Sequence, residues 1–305
     1  MRASYLARIP GANRFFRALA PFYPRAFEAM DFAGYDTIVS STTAWAKGVI
    51  VPPGVVHVCY INTVSRFTFD AGRYLTGPAA LARPLIASLV AWDVAAAQRP
   101  TRLVANSKNV AARVKKYYGR DADVLPCPVD VDRFTIGAGN GDYFVVVSRL
   151  LPYKNIDLAI AAANAAGVKL KVAGTGPDEA RLRELARGTT TEMLGFVSDA
   201  EANALLGAAR AAILPGEEDF GLVPIEAAAA GRPTIAYRAG GALETIVEGE
   251  TGTFFDESTS SSLAAALRAF DPRTFDPLRL RAHAETFAPA RFVAALKEIV
   301  AAVRA

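Results

Sequence analysis

Histidine and cysteine are scarce, with two of each in 305 residues: His57, His283, Cys59 and Cys127. Neither cysteine has a partner at the spacing of a disulfide framework or a zinc site, so both architectures are excluded and both thiols are expected in the core. Long apolar runs are missing as well. Stretches such as residues 85–92 fall short of the roughly 20 apolar residues that span a bilayer, so no transmembrane helix is expected. Arg2, Arg8, Arg14 and Arg17 interrupt the apolar residues of the N-terminus. A secretory leader needs an unbroken hydrophobic core, and the expected location is therefore the cytoplasm. No Gly-x-Gly-x-x-Gly turn occurs: Gly174-Thr175-Gly176 runs into Pro177, Asp178 and Glu179, which argues against a dinucleotide-dependent oxidoreductase. Basic runs interleaved with aromatics are also absent, so the net charge of +4 is not read as a nucleic-acid surface.

What is present is apolar and regularly alternating. Just over half of the residues are hydrophobic, 52%, enough for two compact domains. Short apolar runs at residues 144–147, 170–173, 192–194, 211–214, 234–236 and 253–255 read as strands, with helical segments between them. Strands this apolar imply a parallel sheet covered on both faces, whose ligands bind at the carboxyl ends of the strands. The first half repeats the pattern at 37–40, 56–61, 103–106 and 122–125, with long helices at 84–97 and 107–118. Glycine-rich residues 137–141 read as an interdomain linker. The expected organisation is an α/β chain of three parts: residues 1–136, 137–286 and a last helix within 287–305. Between Arg8 and Arg25, the residues Phe15, Phe16, Leu19, Phe22 and Tyr23 accompany Arg14 and Arg17. Two readings stand for this segment, a membrane-interfacial surface or amphipathic helices packed on the domain.

The most specific segment is Pro215-Gly216-Glu217-Glu218-Asp219-Phe220-Gly221-Leu222-Val223-Pro224-Ile225-Glu226, in which seven residues separate Glu218 from Glu226. It follows the apolar strand at 211–214, and Pro224 fits the first turn of a helix, where a missing N–H costs nothing. Free N–H groups around Gly221, Leu222 and Val223, with the positive end of the helix dipole, make a phosphate site. A carboxylate on either side, Glu218 and Glu226, accepts the hydroxyls of a hexose and of a ribose. That combination suits a sugar nucleotide. Other marked residues follow other expected strands: Arg149 and Lys154, Gly174 and Gly176, Phe196 and Val197, and Gly240 and Gly241.

These segments, in this order, closely resemble family 4 of the retaining glycosyltransferases, the group 1 transferases of GT-B fold. The resemblance is carried from about Arg102 onward by the Glu218/Glu226 loop, by Val147-Ser148-Arg149-Leu150 with Pro152-Tyr153-Lys154, by Ala173-Gly174-Thr175-Gly176-Pro177, and by Ala239-Gly240-Gly241. It implies two Rossmann-like domains facing a cleft, with the last helix crossing back to the first. It also implies a donor site comprising Gly174, Gly176, Phe196, Val197, Asp219, Phe220, Gly221, Leu222, Val223 and Glu226. Arg149 and Lys154 would neutralise the leaving diphosphate, and Glu218 would orient the hexose. The implied reaction is a front-face transfer that retains the anomeric configuration and uses no protein nucleophile. No cofactor or metal is called for, since Arg, Lys and the helix N-terminus supply the positive charge. Asp121 and Asp123, which flank Ala122, precede a strand and are expected to be solvated.

The chain departs from the family pattern in two ways. Similar enzymes often carry a His after the strand corresponding to residues 56–61, where this chain has Asn62, which donates a hydrogen bond but carries no proton near neutral pH. Nothing before Thr37 resembles the family's opening strand and glycine-rich loop, so the first domain is expected to be truncated. A shortened sheet leaves an edge for a partner chain, a second copy or the N-terminal helices to cover. Lys47, Arg66 and Asp70 are candidate acceptor-side groups. The expected function is transfer of a hexose, with GDP-mannose as the donor, to a glycan or lipid-linked acceptor at the inner membrane face. The alternative is a nucleotide-sugar-binding subunit, or half of a split enzyme that needs a partner.

Overall fold

The computed structural model describes residues 4–9, 11, 19–65, 69 and 83–304. They divide into two units, Met1–Pro126 with Ala295–Ala305, and Cys127–Ala294. No helix among the described residues is long and apolar enough to cross a membrane.

The first unit holds a parallel sheet of β1 (Thr37–Thr42), β2 (Val56–Ile61), β3 (Arg102–Ala105) and β4 (Asp123–Val124), in the order β1-β2-β3-β4. Its described helices are α1 (Tyr23–Glu28), α2 (Arg83–Ala96) and α3 (Lys108–Tyr118). Helix α3 begins where the Ser107 side chain accepts from Val110 N, and it ends at Gly119 in the left-handed region, φ 68°. Cys59, Ile61, Leu103 and Ala105 meet Val110, Val114 and Tyr118 of α3 in one apolar cluster. Successive strands here all step in one direction, which leaves β1 at an edge. Because Asp36 O and Thr42 O accept from Val56 and Asn62, strand alternation turns the backbone groups of Thr37, Val39 and Ser41 away from β2.

The second unit is doubly wound. Its sheet runs β10-β9-β8-β5-β6-β7, all parallel, from β5 (Tyr143–Val147), β6 (Lys169–Ala173), β7 (Thr191–Gly195), β8 (Ala212–Leu214), β9 (Thr234–Tyr237) and β10 (Gly252–Phe255). Helices α4 (Ile156–Ala166), α5 (Glu179–Ala186), α6 (Asp199–Ala208), α7 (Leu222–Ala229), α8 (Ala242–Thr245), α9 (Ser260–Ala269) and α10 (Pro277–Glu285) connect and cover it, and α11 (Pro289–Arg304) follows. Both faces of β5 are sealed: Phe144 and Val146 pack with Ile156, Ile160 and Leu170, while Val145 packs with Leu206, Ile225 and Leu280. This two-sided burial is why the strands read as continuous apolar runs. Order reverses between β5 and β8, the switch point at which open α/β sheets bind ligands.

Residues 137–141, expected as a linker, are packed within the second unit. Gly137 N donates to Ala230 O (3.1 Å), Gly139 N to Gly207 O (3.0 Å) and Gly141 N to Ala208 O (2.8 Å). A side-chain carbon on Gly137 would collide with the Gly207 backbone. The glycines serve close approach of two backbones rather than freedom of a hinge.

Candidate active site at the strand switch point

Four loops of the second unit interlock at the carboxyl ends of β5, β6, β8 and β9. Leu150 N donates to Thr175 O (3.0 Å) and Asp178 N to Leu150 O (3.1 Å), which fastens the β5 loop to the β6 loop. Gly174, at φ 133°, and Gly176 have no room for a Cβ because the carbonyls of Ser148 and Leu150 occupy that space. Gly240 and Gly241 are held likewise against the carbonyls of Glu218 and Phe220, with Gly241 N donating to Glu218 O at 2.9 Å. The glycines singled out in the sequence therefore have a packing reason: they let backbone lie on backbone and fix where the flanking charged residues emerge.

Lys154, in the loop after β5, and Glu218, in the loop after β8, form an ion pair across the switch point. Each side chain is 18% exposed, so the pair is shielded yet open to a ligand. The Lys154 ammonium also stands 5.3 Å from the centroid of the Tyr153 ring. Arg149 is exposed, and its guanidinium has no hydrogen-bond or ion-pair partner among the described residues. Gly221 caps α7 at φ 90°, and Leu222 and Val223 occupy the first turn, where N–H groups have no acceptor within a helix. Leu222 is 46% exposed. Asp219 and Val197 are half-buried, and Phe196 is exposed. Phe220 is an anchor, not a presented ring: it is buried, with its centroid 6.0 Å from that of Phe287.

Glu226 lies one turn into α7, 22% exposed. Burial pushes its carboxyl above the usual carboxylate range; Arg133 opposes the shift and Asp199 reinforces it. Arg133 Nη2 is 3.9 Å from Glu226 Oε1, and Arg133 Nη1 donates to Asp199 Oδ2 at 3.0 Å. Arg133 is the residue that sequence reasoning missed. It sits on a turn 93 positions before Glu226, and nothing local to Val131-Asp132-Arg133-Phe134 signals that partner.

The candidates of the first unit fare differently. Asn62 follows β2, half-buried, and its Nδ2 donates to Ser41 Oγ (2.9 Å) and Thr42 O (3.3 Å) at the end of β1. Lys47, expected on the acceptor side, is instead an interior residue, 1% exposed. Its ammonium donates to Ala44 O and pairs with Asp93 at 2.5 Å, and Tyr118 OH donates to the other Asp93 oxygen at 2.7 Å. A cation used up in this way cannot meet an acceptor. Arg66 and Asp70 lie outside the described residues, as do Phe15, Phe16, Arg14 and Arg17. Of the described N-terminal aromatics, Tyr23 packs against Trp45 with centroids 5.7 Å apart, whereas Phe22 is exposed.

The family model described as Glycosyl transferases group 1 matches residues 130–271, the stretch that carries this site. Among curated relatives, the D-inositol 3-phosphate glycosyltransferase of Geodermatophilus obscurus is 32% identical over 201 residues, 55% of this chain and 45% of that protein. The GDP-mannose-dependent alpha-(1-6)-phosphatidylinositol monomannoside mannosyltransferase of Mycolicibacterium smegmatis is 30% identical over 293 residues, 79% of this chain and 76% of that protein. Of solved structures, the sucrose-phosphate synthase of Thermosynechococcus elongatus superposes with a TM-score of 0.74 at 19% identity, over 98% of this chain and 81% of that one. That likeness is one of fold, the GT-B class. The chain spans only a third to a half of the length of several of its curated relatives. Since the mannosyltransferase match extends over both units and the family model falls on the loops that hold Arg149, Lys154, Glu218 and Glu226, the chain belongs to the group 1 glycosyltransferase family.

Proposed function

We propose that this chain transfers a hexose, mannose in our reading, from a nucleoside diphosphate sugar to a glycan or lipid-linked acceptor, with retention of configuration. The observation that carries the reading is the Lys154–Glu218 pair at the β5/β8 switch point, beside the open N-terminus of α7. As the sugar–phosphate bond breaks, negative charge grows on the leaving diphosphate and positive charge on the anomeric carbon. Arg149, Lys154 and the N–H groups of Leu222 and Val223 stabilise the first; Glu218 orients the hexose hydroxyls near the second. These groups supply the positive charge that a metal would otherwise bring, so the reading is metal-independent. The departing phosphate takes the acceptor's proton, and no protein nucleophile takes part. Glu226 accepts the ribose hydroxyls. GDP-mannose and a lipid-linked acceptor are favoured because a relative matched over both units is named for GDP-mannose and for phosphatidylinositol monomannoside; an acceptor of that kind would place the reaction at the cytoplasmic membrane face.

A second reading, a donor-binding chain that needs a partner for turnover, is favoured by one observation. Among the described residues the first sheet winds one way only and ends at β1, where the backbones of Thr37, Val39 and Ser41 turn away from β2 and Val39 is 50% exposed. Calorimetry with GDP-, UDP- and ADP-sugars, followed by sugar transfer and hydrolysis assays on the purified chain, tests both. Binding of one donor with turnover supports the first reading, and binding without turnover supports the second. Binding of none removes both.

A further inference from the structure

Arg133 looks at first like a surface residue, 44% exposed and paired with the still more exposed Asp199. Such pairs contribute little to stability. Yet the turn that carries it, Val131–Arg133, is held from two sides. Arg281 of α10, whose side chain is only 20% exposed, donates through Nη1 to the carbonyls of Val131 (2.9 Å) and Phe134 (2.8 Å). Asn203 of α6 donates to the carbonyl of Arg133 itself at 3.1 Å. The guanidinium carbon lies 5.1 Å from the centroid of the Phe134 ring. Its two terminal nitrogens face different carboxylates, Nη1 donating to Asp199 and Nη2 standing 3.9 Å from Glu226.

Glu226 faces the same side of α7 as Leu222, four residues earlier, about 6 Å along the axis from the helix mouth. A ribose attached to a diphosphate seated at that mouth brings its diol to this depth. We propose that Arg133 is a positioning residue that aims the Glu226 carboxylate at the ribose diol, so that nucleotide binding depends on Arg133 although Arg133 touches neither the diphosphate nor the sugar. The inference rests on the donor site proposed above.

The charges acting on Glu226 are Arg133, which favours its ionised form, and Asp199, which opposes it together with burial. On the other elements packed against α7, α8 carries Glu244, and Arg281 and His283 of α10 are directed elsewhere, Arg281 to the carbonyls of Val131 and Phe134 and His283 Nε2 to Thr245 O at 2.9 Å. Removing Arg133 leaves burial and Asp199, both of which favour the protonated carboxyl, a poorer acceptor for two hydroxyls.

The test is calorimetric binding of GDP, UDP and inorganic pyrophosphate to the full chain between pH 5.5 and pH 8, for wild type, Arg133→Met and Arg133→Lys. Arg133→Met is expected to weaken the preferred nucleotide by up to about fivefold, the scale on which losing one partly exposed ion pair acts. Its loss of affinity on acidification is expected to begin at higher pH than in wild type, and pyrophosphate, which has no ribose, should bind all three proteins alike. Arg133→Lys should recover part of the nucleotide affinity. A nucleotide pH profile for Arg133→Met that overlays wild type overturns the inference, as does an equal loss for pyrophosphate, which would make Arg133 a phosphate contact. A wild-type protein that binds pyrophosphate but no nucleotide removes the donor-site reading itself, and the inference with it.

Discussion

Replacing Glu218 by Gln should make a bare nucleoside diphosphate bind more tightly while abolishing sugar transfer. Glu218 pairs with Lys154, the ammonium proposed to meet the diphosphate, and both side chains are 18% exposed, shielded from most of the solvent. An arriving diphosphate must displace the carboxylate from Lys154 and then tolerate it nearby. Two unit charges 4 Å apart interact by about 4 kcal/mol at an effective dielectric of about 20, and exchange with water reduces the net worth of such a bond to about 1.5–3 kcal/mol. The diphosphate recovers part of this when it takes the ammonium for itself. A residual gain of about 1 kcal/mol corresponds to roughly five- to tenfold tighter binding. Calorimetric titration with GDP and UDP at low and high salt measures it, and the gain should shrink as salt screens the charges. Transfer from the sugar nucleotide should fall by at least about 100-fold, the scale on which losing one preorganised electrostatic group acts. Unchanged or weaker diphosphate binding in Glu218→Gln, with the fold intact by circular dichroism, would refute the competition between carboxylate and phosphate.

Two further outcomes follow from the interior of the first unit. His57 is fully buried, its Nε2 is 2.8 Å from Ser40 Oγ and its Nδ1 has no partner, so burial lowers its pKa to about 4. The unfolded chain takes up a proton below about pH 6.5 and the folded chain does not, so this residue's stabilising contribution is complete above pH 6.5. It should be lost as pH falls toward 4, by up to about 3 kcal/mol; urea unfolding of His57→Gln against wild type across that window should show the difference between them narrowing or reversing on acidification, and a pH-independent difference would contradict it. Lys47→Met leaves Asp93 buried with only the Tyr118 hydroxyl and should cost about 3–5 kcal/mol, most of it restored in Lys47→Met/Asp93→Leu; chemical denaturation of both variants checks this, and equal losses would show that the interior charge is not the cause.

Much of the fold was legible because it rests on short-range chemistry. Phe144-Val145-Val146-Val147 is apolar on every residue, since a parallel strand in a doubly wound sheet is covered on both faces, and it forms β5. Ser107 before α3 and Ser198, which makes a capping box with Glu201 at α6, mark helix starts within four residues of sequence. The strand expected at residues 122–125 shrank to Asp123–Val124, because it lies at the sheet edge and pairs only with β3. In the site, the Glu218 loop and Pro224 were readable for the same local reason: a strand, a turn and a helix start adjoin in sequence.

What the amino-acid order settled without help was therefore the kind and sequence of elements, and the set of loops that end on one edge of the second sheet. Tertiary structure decided the pairings. Lys47 is buried with its charge neutralised because Asp93 comes to it from α2 and Tyr118, from α3, holds that carboxylate, Lys154 meets Glu218 because β5 and β8 are neighbours across the switch point, and Arg133 reaches Glu226 because Arg281 and Asn203 hold its turn in place. Charges interact through space, over a few ångströms, whereas sequence reports only distance along the chain. A surface Lys and a buried one, or an idle Arg and a positioning one, are therefore written in the same letters until the fold brings their partners.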